Sequence, residues 1–135
     1  MHPNPYNNLL VKQSLVPAAR TASADGTAVD RAEDSSMFQD ALVVVACGTI
    51  TDGTHTIEVQ DSPDNSDWTA VADEFLQGTE PAIAAANDDA TFEIGYLGDQ
   101  RYLRVIVTAA GTTTGGVYGA AVILSNPRRA PVVRN

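Results

Sequence analysis

The sequence predicts an all-β domain: an antiparallel β-sandwich or jelly roll with extended N- and C-terminal arms. Three observations lead there. Phe38 to Ile50, FQDALVVVACGTI, is a long run of β-branched and small apolar residues, which favours strand over helix. Residues 54–61 and 101–108 alternate apolar and polar positions with the period of two that a strand with one wet and one dry face requires. Turn signals such as Asp52-Gly53, Ser62-Pro63-Asp64-Asn65 and Gly115-Gly116 separate these runs at short intervals, and signals for a sustained helix are nearly absent.

Composition bounds the reading. A chain of 135 residues that is 44% hydrophobic and 19% charged is large enough for one domain with its own core and too apolar for a disordered chain. The formal net charge is −9, from 17 acidic and 8 basic residues. Such a surface repels a nucleic-acid backbone, so no nucleic-acid partner is expected. The ends run against the trend: Lys12 and Arg20 in residues 1–20, and Arg128, Arg129 and Arg134 in residues 125–135, have no acid among them. Both ends therefore suit an acidic neighbour. Cys47 is the single cysteine and lies in the apolar run, where it reads as a buried, inert thiol. No stretch is long and apolar enough to span a membrane, and Pro and Asn stand where a signal peptide would be apolar.

Along the chain, residues 1–13 (MHPNPYNNLLVKQ) read as an irregular arm tipped by Leu9, Leu10 and Val11. Residues 14–22 read as an edge strand, because Pro17 lacks the donor that a central strand needs. Asp25-Gly26 turns the chain into a short extended segment at residues 27–32, and Glu33 to Ser36 form a polar loop. The run 38–50 is apolar on both faces. Leu42, Val44, Ala46 and Gly48 share one face, and Val43, Val45, Cys47 and Thr49 share the other. Such a strand is either central in a two-layer core or covered by another subunit. With residues 54–61 and 66–71 it reads as a three-strand antiparallel meander. Residues 72–78, with Asp73 and Glu74 early and Gly78 late, allow one helical turn, and Ile83 tucks beneath the connector at 79–89.

A second meander is expected over residues 90–124. Phe92, Ile94 and Tyr96 mark one side of its first strand, and Leu103, Val105 and Val107 one face of its second. In the last strand Gly119 and Ala121 leave room for a bulky neighbour. The domain proper thus spans 14–124, and residues 125–135 form an extended tail in which Val132 and Val133 can anchor on a neighbour.

The chemistry-bearing residues read as structural. His2 and His55 have no partners at catalytic or zinc spacing. Asp61, Asp64 and Asp67 lack the Gly and Glu of a calcium loop and read as turn formers, as do Asp88 and Asp89. Glu58 and Glu93 serve as paired carboxylates only if a cleft joins them. Thr112 to Gly116 lacks the lysine of a phosphate-binding loop. No catalytic residue, metal site or cofactor is expected, and the chain reads as a non-enzyme. Trp68 with Tyr96, Tyr102 and Tyr118 offers an alternative, a sugar-binding platform, against a Trp68 that caps the core.

Two segments, ITDGTHTIEVQDSPDNSDWTAV (50–71) and IGYLGDQRYLRVIVTAAGTTTGGVYGAAVILSNPRRAPV (94–132), resemble small virion proteins encoded among the head genes of tailed bacteriophages and prophages. The shared features are the DGTHT turn, the following strand, a D/S-rich turn with an aromatic, a Y-hydrophobic-R-hydrophobic strand, and a small-residue strand ending near N-P-R. The resemblance implies a capsid decoration or cement protein. It implies the major capsid protein as partner, a homo-oligomer with a trimer favoured, and a place on the capsid exterior after synthesis in the bacterial host cytoplasm. The protein-interface candidates under that reading are Leu9, Leu10, Val11, Arg128, Arg129, Val132 and Val133. A head–tail, tail or fibre-associated β-domain is the alternative within the same resemblance.

Overall fold

A computed structural model describes residues 4–32 and 37–132. The fold is an antiparallel β-sandwich. Its strands are β1 (Leu10–Arg20), β2 (Ala24–Asp25), β3 (Val29–Asp30), β4 (Phe38–Ile50), β5 (Thr54–Ser62) and β6 (Thr69–Ala70), followed by β7 (Leu76–Gln77), β8 (Ala82–Ile83), β9 (Thr91–Tyr96), β10 (Tyr102–Ala110) and β11 (Gly116–Pro127). The first sheet runs β1-β11-β4-β9-β7. The second runs β2-β10-β5-β6, with β3 also on β10 and β8 also on β5. Among the described residues no helix is long and apolar enough to cross a membrane.

The pairing corrects the two expected meanders. β4 and β5, joined through Asp52-Gly53, do not pair with each other; they lie in opposite sheets. β9, β10 and β11 likewise alternate between the sheets. The long partners are β11 on β4 and β10 on β5, each brought together from distant sequence. The turn at Gly53, with φ of 82°, therefore arches over the core instead of closing a hairpin. The Asp52 carboxylate fixes that arch. Its oxygens accept from the backbone N–H groups of Thr113 (3.0 Å), Thr114 (3.1 Å) and Gly115 (2.7 Å), tying the β4–β5 arch to the β10–β11 loop. Of the first meander, the β5–β6 pairing is present, with Gln60 opposite Ala70.

The core lies between the sheets. Val43, Val45 and Ile94 from the first sheet and Ile57, Val59, Leu103 and Val105 from the second are at most 1% exposed. Ile83 is fully buried and, in β8, sits opposite His55. β1 closes one edge. Its register on β11 shifts on both sides of Leu15, so the bulges fall around Ser14 and Pro17, as proline at an edge requires. Gly119 explains the fit: a Cβ there would stand 2.9 Å from Pro17 atoms. The bulky neighbour expected at this glycine is thus Pro17 of the adjacent strand. Ser14, 2% exposed, bridges the sheets. Its hydroxyl donates to the Thr27 carbonyl and accepts from the Val105 N–H.

The ends are more structured than expected. Pro5–Asn8 make one helical turn capped by the Asn4 side chain. Strand pairing begins at Leu10, inside the expected arm of residues 1–13, and continues to Pro127, past residue 124. Val132 returns to the N-terminal turn, where its N–H bonds the Asn7 carbonyl at 3.0 Å.

Candidate functional site: an apolar outer sheet face

β4 carries the surface of most functional interest. Because it is the middle strand of the first sheet, its two apolar faces separate into an inner and an outer set. Val43, Val45 and Cys47 turn into the core, as do Tyr118, Ala120 and Val122 on β11. Leu42, Val44 and Ala46 turn outward and are half-buried or exposed. Their partners across the ladder are Ile123, Ala121 and Gly119, which share that face. Beyond β11, Val11 stands opposite Ile123 and is 60% exposed. Val16 and Val117 are also exposed, at 57% and 42%. The result is a mainly apolar surface across β1, β11 and β4, with the exposed Gln13, opposite Ala121, as a polar member. Its small residues leave a recess of about 280 Å³ over Gly119 and Gly48, walled by Pro17, Val44 and Val117. Glu93, opposite Val44 on β9, marks its acidic border.

The interface candidates divide. Val11 belongs to this outer face. Leu10 (8% exposed) and Val132 (7%) pack in the chain's own core instead of standing free for a neighbour. Leu10 takes that place because it is opposite Leu124, an inward residue. Leu9 is half-buried beside the helical turn, and its N–H bonds the Pro5 carbonyl. Arg128 and Arg129 are exposed where β11 ends. Val133 lies outside the described residues. Leu42, Val44, Ala121 and Ile123, absent from the interface candidates, are surface residues here, Leu42 with Val44 on one strand face and Ala121 with Ile123 on another. The signal was the second apolar face of residues 38–50.

The aromatic platform is not assembled. Tyr96 and Tyr118 are inside the sandwich, at 3% and 1% exposure. Tyr96 donates to the Asp61 carboxylate at 2.7 Å, and burial, with that bond second, pushes its hydroxyl pKa well up. Burial pushes Tyr118 up to about 12. Its hydroxyl lies 2.9 Å from His55 Nδ1, while His55 Nε2 lies 3.2 Å from the Asp52 carbonyl. A carbonyl can only accept, so Nε2 carries the proton of this contact and Nδ1 can accept from the tyrosine. His55 is thus a buried joint between strands, with no substrate access. Trp68 does not cap the core; it is half-buried, with the Arg104 guanidinium 4.5 Å from its ring centre.

The remaining polar candidates are structural. Asp64 accepts from Ser62 Oγ (3.0 Å), Ser66 N–H (3.0 Å) and Asp67 N–H (2.9 Å), the pattern of a turn former. Asp88 accepts from the Ile50 N–H at the end of β4. Glu58 and Glu93 project from different sheets on opposite outer faces, so no cleft joins them. Burial raises the Cys47 thiol pKa, which suppresses the reactive thiolate. Among the described residues no group of three His, Cys, Asp or Glu side chains could hold a metal ion. A scan against known protein-family models finds no match for this sequence, and a search of curated proteins finds none.

Proposed function

We propose that the chain is a non-catalytic structural component of a tailed-phage virion, a capsid decoration protein that docks on the major capsid protein lattice. The observation that carries the docking role is the apolar outer face of Val11, Leu42, Val44, Ala121 and Ile123. The phage assignment comes from the resemblance of residues 50–71 and 94–132. Three strands about 4.8 Å apart and about eight residues long span roughly 400 Å². That falls short of the roughly 800 Å² per partner of a standard stable complex. One copy then binds weakly, and a closed homo-oligomer on a repeating lattice supplies strength through avidity. A trimer suits the three-fold positions of such a lattice. The acidic body suits the capsid exterior, away from packaged DNA.

The test is cosedimentation of the purified chain with capsids of the encoding phage that lack it. The wild type is expected to saturate the shells. Val44→Asp, on the outer face, is expected to keep its circular dichroism spectrum and lose binding by at least about tenfold, since it buries an unpaired charge in the complex. Undiminished binding by Val44→Asp would remove the sheet face from the mechanism. Binding of glycans and not shells would favour the sugar-binding reading.

A further inference from the structure

The second surface lies at one end of the sandwich, where β4 begins and β11 ends. A recess of about 600 Å³ opens there, and Arg31, Arg101 and Arg128 all line it. Three arginines on one recess stand out in a chain with 8 basic and 17 acidic residues. Their states differ. Arg101 is engaged by Asp30, with Nε to Oδ1 at 2.8 Å and Nη2 to Oδ2 at 2.9 Å. Arg128 is exposed and forms no ion pair among the described residues. Arg31 is the unusual one. It is 9% exposed, and its guanidinium has no carboxylate partner among the described residues.

Two long contacts hold the Arg31 head: Nη1 to the Gly98 carbonyl at 3.2 Å and Nη2 to the Gln39 carbonyl at 3.4 Å. Its Nε has no hydrogen-bond partner. The Tyr96 ring lies beneath it, with the guanidinium carbon 5.3 Å from the ring centre. Among the described residues, two of the nearby acids are engaged elsewhere. Asp61 is tied to the Tyr96 hydroxyl and Asp30 to Arg101, while Asp99 lines the recess as an exposed side chain. A buried cation held by weak carbonyl contacts is costly unless a counter-charge reaches it. The planar fork of a guanidinium matches a carboxylate in two-point contact.

We propose that this recess is a binding site for the carboxylate of an acidic polypeptide segment, received by Arg31 and Arg128. Arg101, already neutralised by Asp30, forms the wall. The Gln39 and Gln100 side chains supply polar lining. The site is separate from the outer face of the first sheet and does not rest on the capsid reading.

The test titrates the full chain with pentaglutamate, acetate and inorganic phosphate, following side-chain Nε–Hε resonances of the arginines by NMR. Pentaglutamate is expected to shift the Arg31 resonance saturably, and to do so at lower concentration than acetate. Arg128→Ala is expected to weaken pentaglutamate binding about tenfold, the factor for loss of one charge-assisted hydrogen bond. Arg129→Ala, outside the recess, is expected to leave it unchanged. Arg31→Lys, which keeps the charge and loses the planar fork, serves if Arg31→Gln fails to fold; it is expected to weaken binding as well. An Arg31 resonance unmoved by any probe would overturn the proposal. So would a response to phosphate alone, which marks a free-anion site, or equal losses in the Arg128 and Arg129 variants, which mark diffuse attraction.

Discussion

Asp52 shows how one side chain in this chain trades chemistry for architecture. Its pKa is held below the ordinary 3.8 by three backbone N–H donors, Thr113 first, then Gly115 and Thr114. A carboxylate with a lowered folded-state pKa stabilises the fold fully above the unfolded value, and the contribution disappears as pH falls through the folded value. The thermal midpoint is therefore expected to drop as pH falls below about 4. In Asp52→Asn the midpoint is expected to be lower at neutral pH and the acid drop shallower. An acid limb as steep as that of the wild type would show that other carboxylates govern it. The Asp52 role was half legible. Asp52-Gly53 marked a turn in the sequence, but the donors lie about sixty residues away, and local patterning carries no record of them.

At the level of the strand, period-two alternation identified the inner faces of β9 and β10 residue by residue, because burial on one face writes itself into every second position. It could not choose between the faces of β4, where both are apolar. That choice came from pairing: β11 and β9 flank β4, so one face meets the second sheet and the other is left outside. Glycines test the same geometry. Gly119→Ala forces a Cβ to within 2.9 Å of Pro17 and is expected to cost about 1–3 kcal/mol, read as a lower urea midpoint. At Gly48 the added Cβ would make ordinary contacts, 3.5 Å from Val117, so Gly48→Ala is expected to change the midpoint little. Equal effects at both positions would contradict the close fit of β1 on β11.

Across the whole molecule, two unlike surfaces occupy separate places: an apolar face on the first sheet and an arginine-lined end. The apolar face is too small for a strong single contact, so the proposed function depends on number. Light scattering is expected to give a trimer mass, with association strengthened by added salt as self-repulsion among chains of net charge −9 is screened. A monomer at every concentration and salt would remove the avidity argument.

The all-β class, the strand runs and the edge position of Pro17 were written in the sequence, because propensity, alternation and a missing N–H act locally. The partnership of strands was not. A turn signal states that the chain reverses; whether it reverses within a sheet or across the core depends on which distant strand captures each edge. Here β11 takes β4 and β10 takes β5, so the β4–β5 link and the second expected meander open into arches, while β5 still pairs with β6. The same long-range pairing turned Leu42 and Val44 outward, drew Leu10 into the core, and brought Arg31 and Arg128 to one recess. The tertiary structure decided these because burial on a two-faced strand, like the meeting of arginines remote in sequence, belongs to the assembled sheets and to no single segment.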